Sequence, residues 1–235
     1  MATRLLLRTV APWLLLLQSG CGQVRNTAPQ TVAATPRVVA PAAKPAVGGG
    51  FRCNLLLGVA VTSEWFDAGF ERIVDDQRWE AITKPHTSLE QWGDPNNSVW
   101  SLGPTSACTE GASAPDRVLF TAMNWEYTSE SEWEAGLVDV VRAIQTRFPS
   151  VKQIVLLSMI RAPENVSCGN AMSVVAPFVD EAIATVAARS PEQVRVGPKL
   201  EAPSCEVFKN GGPHFTDAGR QLMAQRIAEY FAHQP

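Results

Sequence analysis

Histidine is scarce in this chain of 235 residues: there are three, His86, His214 and His233, and no two share a local motif. No Cys-X-X-Cys occurs either, so neither spacing that marks a metal site is present. Also missing are Gly-X-Gly-X-X-Gly and a phosphate loop, the backbone cradles of dinucleotides and nucleoside triphosphates. The expectation is therefore no metal and no cofactor. Charge of one sign is not in excess, with 20 Lys and Arg against 23 Asp and Glu and a formal net charge of −3. A chain without a basic stripe has no electrostatic footprint for a phosphate backbone, which excludes nucleic acid as an expected partner. No apolar run approaches the roughly 20 residues needed to span a bilayer. What the chain does have, 46% hydrophobic and 18% charged residues, excludes wholesale disorder. Its length suits one large domain, or one domain with appendages.

The first segment is an address. Met1 to Cys21 places Arg4 and Arg8 ahead of the short apolar stretch Val10 to Leu17, then Ser19 and Gly20 before Cys21. This is the layout of a bacterial secretory signal. The ending Leu17-Gln18-Ser19-Gly20-Cys21 resembles a lipobox, with Gln18 where leucine is usual and Leu17 one place earlier. On that reading Cys21 becomes the lipidated first residue of an exported lipoprotein of the cell envelope, held to a membrane by its lipid. The alternative is an ordinary cleaved signal that leaves Cys21 in the tail. Residues 22–50 scatter Pro29, Pro36, Pro41 and Pro45 among Ala, Val and Thr and end in Gly48-Gly49-Gly50. Too few large apolar groups are present to offset ordering entropy, and the prolines keep the segment extended, so it reads as a tether. The folded domain is then 51–235.

Within it, strands and helices alternate. Asn54 to Gly58 is a short apolar run that fits a fully buried strand. Thr62 and Ser63 are N-cap types, followed by Trp65, Phe66, Phe70, Ile73 and Val74 at near-helical spacing. Trp79 to Thr83 is a second short strand, and Lys84 to Pro115, rich in Pro, Gly, Asn and Ser, reads as a long loop. Arg117 to Ala122 is the third strand. Ser129 and Glu132 form a capping box ahead of a helix carrying Trp133, Leu137, Val140, Val141, Ile144 and Phe148, which Pro149 stops. Gln153 to Ile160 is the fourth strand. Pro177 opens a helix with Val179, Ile183 and Val186 inward, and Val194 to Val196 is a weak fifth strand. The last helix, Asp217 to about Phe231, is capped by Thr216.

This alternation predicts an α/β domain, a three-layer sandwich around a central parallel sheet of five strands. Ligands of such sheets bind outside the carboxyl ends of the strands. Residues 59–63, 123–126, 161–168 and 198–214 should therefore gather on one rim. Two candidates stand there. His214 sits on a loop just before the last helix, where an imidazole can act as a general base near neutral pH. Asn124 ends the third strand, where its amide could donate to a developing oxyanion. Each also has a bland reading, His214 as packing and cap, Asn124 as a turn residue.

Taken together these blocks resemble the SGNH (GDSL-like) hydrolase family. His214-Phe215-Thr216-Asp217-Ala218-Gly219 is similar to the family's histidine block, and Ala122-Met123-Asn124-Trp125 to its Gly-X-Asn-Asp block. Leu55 to Thr62 falls where the family has Gly-Asp-Ser. The resemblance implies strand order 2-1-3-4-5 and an esterase, acyl hydrolase or carbohydrate deacetylase ancestry. It puts the nucleophile position at Ala60, which has no hydroxyl, and the preceding aspartate at Val59. The acid that should orient the histidine falls on Gly211. Ala122 replaces the third-block glycine, Trp125 stands where the Asp after Asn124 belongs, and the second-block glycine is Gly93 or Gly103. Three readings follow: a hydrolase with a displaced nucleophile, a degenerate domain that binds a ligand without turning it over, and an idle scaffold. Ser63, one helical turn after Ala60, is the candidate displaced nucleophile, with an N-cap as its alternative.

All seven tryptophans lie between Trp13 and Trp133. Trp92 and Trp100 fall in the long loop and Trp125 beside Asn124, and aromatic faces there would suit stacking on a sugar ring. The alternative is that the loop tryptophans pin the loop down. A small-molecule or glycan ligand and a monomeric chain are the expectations. The cysteines number five, and with Cys21 set aside the other four allow three pairings. The strand order that the resemblance implies makes Cys53–Cys108 and Cys168–Cys205 the expected pairs.

Overall fold

The computed structural model describes residues 51–74, 79–101, 114–164, 166, 168, 169 and 177–232. Calls on Cys21, Gly103, Cys108 and residues 1–50 lie outside the described residues. Five parallel strands form one sheet: β1 (Asn54–Gly58), β2 (Trp79–Thr83), β3 (Arg117–Ala122), β4 (Gln153–Ser158) and β5 (Val194–Val196). Their order is β2-β1-β3-β4-β5, as the family resemblance implied. β1 lies beside β3 with Leu55 opposite Val118 and Leu57 opposite Phe120.

A parallel sheet needs cover on both faces, because its crossovers are helices. The side chains of β1 divide accordingly. Leu55 and Leu57 enter one core, and Leu56 the other, and all three are fully buried. Each such leucine contributes about 1.5–3 kcal/mol relative to exposure. The first core is completed by α3 (Leu89–Gly93), α4 (Glu130–Arg147) and α5 (Pro177–Arg189), through residues such as Leu89, Leu137 and Ile183. The second is completed by α1 (Ala60–Trp65) and α6 (Asp217–Ala232), through Trp65, Ile227 and Phe231.

The helix ends follow their sequence signals in part. Ser129 and Glu132 form the capping box of α4, and Thr216 Oγ1 accepts from Gly219 N at 3.2 Å at the head of α6. At the first helix the expectation fails. α1 begins at Ala60 with Val59 as a non-bonding N-cap, so Thr62 and Ser63 lie inside the helix. The helical run through Val74 is also interrupted. A π turn over Phe66–Phe70 separates α1 from α2 (Glu71–Val74), with Gly69 at φ 110°, a left-handed conformation through which an α-helix does not continue. The supposed loop from Lys84 is partly structured, since Leu89–Gly93 is helical and Ser98–Trp100 forms a 3-10 turn. A five-residue helix of sequence Leu-Glu-Gln-Trp-Gly is too short to carry a period that could be read beforehand.

At the amino end of the sheet, Asp116 accepts from the backbone N–H groups of Arg52 and Cys53, pinning β1 to β3. Arg117 is buried beside it with its guanidinium over the Phe51 ring at 3.8 Å, and burial pushes its pKa down to about 10. Among the described residues no helix is long and apolar enough to cross a membrane.

Gly219 shows how tightly α6 is seated. A Cβ there would stand 2.3 Å from the Val207 carbonyl oxygen, a backbone atom with little room to yield. Gly219→Ala is therefore expected to lower stability by about 1–3 kcal/mol through overpacking. Urea unfolding of the two proteins checks this, and an unchanged midpoint would contradict it.

Candidate functional site

His214 is presented by a loop closed at its base. The Lys209 N–H donates to the His214 carbonyl at 2.7 Å, Gly212 N donates to Lys209 O at 2.8 Å, and Asn210 turns the chain with φ 51°. Asparagine tolerates that left-handed conformation better than most residues. Below the loop, Phe208 and Phe215 are bridged as a short antiparallel pair with ring centroids 5.6 Å apart. The imidazole thus stands at the carboxyl end of the sheet with its side chain 54% exposed.

Its partner comes from another element. His214 Nδ1 lies 2.5 Å from Glu64 Oε1, and the second carboxylate oxygen accepts from the Phe215 backbone N–H at 2.8 Å. Arg220 Nε on α6 is 3.6 Å from the same oxygen. The Glu64 side chain is 15% exposed, so this pairing is shielded and directional. Glu64 supplies the acid that the sequence places at Gly211. It is four residues after Ala60 on α1, hence on the same helical face. That spacing was available in the sequence as a signal, but nothing local tied position 64 to a loop 150 residues away.

Ala60 heads α1 and brings a methyl group. Ser63 Oγ donates to the Ala60 carbonyl at 2.8 Å, the back-bond of a helical serine, so it is not an N-cap and its hydrogen is not directed to His214. Thr62, the remaining hydroxyl of α1, is fully buried. Beneath it a cavity lined by Val61, Thr62, Trp65, Thr121, Leu157 and Phe215, among others, has room for about one water.

Asn124 points elsewhere. Its Nδ2 donates to both Glu90 oxygens, at 3.2 and 3.0 Å, and its Oδ1 accepts from the backbone N–H groups of Glu126 and Tyr127 at 2.7 and 3.3 Å. Glu90 belongs to α3, on the face of the sheet opposite α1 and α6. Partial burial acts to raise the Glu90 pKa, but hydrogen bonds with Ser88, its own backbone, Tyr127 and Asn124 outweigh it and hold the carboxyl below its usual range. Burial, together with hydrogen bonding to Glu90, raises the Tyr127 phenol. Asn124 and His214 are thus tied to different layers, and no hydrogen bond joins them.

No family model matches this chain, and no curated protein matches it. Solved structures do. One is a Slackia heliotrinireducens protein assigned to the SGNH hydrolases, 19% identical, with a TM-score of 0.53 over 76% of this chain and 97% of that one. Another, from Streptococcus pneumonia and described as a platelet activating factor, is 13% identical with a TM-score of 0.53 over 76% and 83%. The fold is SGNH-like.

On this SGNH-like frame the tryptophans sort by layer. Trp92 and Trp100 are 1% and 6% exposed, packed edge to face at 5.1 Å within the core over Phe120. They are core residues, which corrects the expectation of ligand platforms: the helix and turn that carry them fold inward to cover the sheet. Trp125 is 50% exposed on the turn after β3. Cys168 and Cys205 form the expected disulfide, with Cα atoms 5.2 Å apart, joining the loops after β4 and β5. Cys53 is also disulfide-bonded. Among the described residues no group of three His, Cys, Asp or Glu side chains could hold a metal ion.

The lowered Glu90 pKa has a consequence for stability. Its contribution is complete above the unfolded value, ordinarily 4.5, and is lost as pH falls through the lower folded value. Glu90→Gln should remove this part of the acid sensitivity. Unfolding midpoints at a series of pH values from 7 to 3 check it, and an unaltered pH slope would contradict it.

Proposed function

We propose that this chain is an exported lipoprotein whose SGNH-like domain binds a glycan or other small ligand at its rim without hydrolysing it. One observation carries the reading: no hydroxyl on α1 is available to attack. Ala60 has none, Ser63 gives its hydrogen to the Ala60 carbonyl, and Thr62 is buried. Acyl transfer without a nucleophile retains only oxyanion and binding terms. The Asn124 amide, moreover, already donates to Glu90. Trp125 offers the exposed aromatic face on which a sugar ring can stack. The anchor in this reading is the lipid on Cys21, at the end of the signal 1–21, and residues 22–50 stand the domain 51–235 off the membrane.

A second reading, an ester hydrolase acting on acylated carbohydrate, is favoured by the Glu64–His214 pair. A carboxylate-anchored imidazole is the arrangement of a general base.

Wild-type protein is expected to hydrolyse p-nitrophenyl acetate no faster than its His214→Ala variant. Brisk turnover abolished by Ser63→Ala or His214→Ala would establish the hydrolase instead. On a glycan array, Trp125→Ala should weaken retention about tenfold, which is about 1.4 kcal/mol. Trp92→Ala should act on folding, costing about 3–5 kcal/mol in urea unfolding. Equal retention by wild type and Trp125→Ala would remove that ring from the site.

A further inference from the structure

Two hydroxyl groups on the α1 side of the sheet have no hydrogen-bond partner among the described residues. They are Thr62 Oγ1 on α1 and Thr121 Oγ1 on β3, in side chains of residues 0% and 4% exposed. A threonine hydroxyl brings one donor and two acceptor positions, and buried ones are in the large majority satisfied. Ser63, next along α1, shows the usual helical remedy, its bond back to the Ala60 carbonyl at 2.8 Å. Thr62 makes no such bond, and the Gly58 carbonyl, four residues earlier, accepts from Lys84 N at 2.9 Å.

The two side chains converge over Gly58. β1 and β3 run side by side with Leu57 opposite Phe120, which sets Gly58 beside Thr121. By alternation both belong to the face of Leu56 and Leu119, the one that α1 and α6 cover. A Cβ at Gly58 would stand 2.6 Å from Thr62 Oγ1 and 3.2 Å from Thr121 Cβ, so both threonines border the space that glycine leaves. Both also line the cavity under α1, which has room for about one water. Val61, Trp65, Leu157 and Phe215 give it apolar walls, and no ionisable side chain lines it, which disfavours an ion. A small cavity walled only by apolar groups stays dry, whereas one bordered by unpaired hydroxyls has the polar partners that a water requires.

We infer that a single internal water is bound there, hydrogen-bonded to both Thr62 Oγ1 and Thr121 Oγ1. It fastens α1 to β3 at the point where Gly58 offers the helix no side chain to pack on. Pro213 and Phe215 of the loop before α6 complete the lining, so the water lies where helix, sheet and loop meet.

High-resolution crystallography of the wild-type chain tests the site directly. One ordered water should lie about 2.7–3.0 Å from each threonine oxygen. Water-oxygen magnetic relaxation dispersion tests it in solution, because it counts long-lived internal waters and is blind to hydroxyl exchange. Thr62→Val and Thr121→Val keep the side-chain shape, and each should hold one long-lived water fewer than wild type. In urea unfolding the two losses of stability should not add, since the double variant leaves no hydroxyl unpaired. Threonine oxygens bonded to each other or to main-chain carbonyls in the crystal would overturn the proposal. So would an unchanged water count in both variants, or strictly additive losses. Should a variant fail to fold, the wild-type crystal decides the question alone.

Discussion

Everything in the domain follows from the need to cover both faces of a parallel sheet. Its interior strand β1 is buried along its whole length, with Leu55 and Leu57 facing one layer and Leu56 the other. Parallel strands cannot be joined by tight hairpins, so each crossover carries a helix or a long connection, and those elements supply the cover. Two cores result, one under α3, α4 and α5, the other under α1 and α6. The cost of breaching either is a buried aromatic or leucine brought into water. The rim is where this constraint relaxes, because loops there need only satisfy their own polar groups.

Carboxylates do much of that local work. Asp116 gathers the backbone N–H groups ahead of β1 at the amino end of the sheet. At the carboxyl end, Glu64 holds the loop before α6, and Glu90 holds the turn after β3. Each acts as a multiple acceptor for donors far away in sequence, which suits a group with two oxygens and a negative charge. The consequence for function is a divided rim. The amide of Asn124 and the imidazole of His214 are fastened to opposite layers, and the head of α1, in the layer that holds His214, carries an alanine. An SGNH-like frame is thereby kept, with the Asn124 amide and the His214 imidazole each held by a carboxylate of its own layer.

The inner strands β1, β3 and β4 were legible because short apolar runs between turn residues have little alternative to burial, while the outer strands β2 and β5 are shorter or more polar and only partly buried. The long helices were legible from their caps and their period, as with Ser129, Glu132 and the stripe from Trp133 to Ile144. The first helix was misread at its start, since Thr62 and Ser63 have the chemistry of caps but stand two and three residues inside. Its break at Gly69 depends on a backbone angle that composition alone does not set. Trp92 and Trp100 were misplaced for a related reason. Their surroundings in sequence are polar, and only the packing of α3 over Phe120 makes them core.

The amino-acid sequence by itself determined the layer architecture and the alanine at position 60, and the family resemblance added the strand order and, through it, the Cys168–Cys205 pairing. The first two follow from local pattern and residue chemistry. Only the tertiary structure decided that Glu64 serves His214, that Glu90 takes Asn124, and that Trp125 alone of the three rim tryptophans faces outward. Side chains separated by 150 and by 34 residues were brought within hydrogen-bond reach. Such meetings depend on where whole helices come to rest on the sheet, and no periodicity along the chain records that.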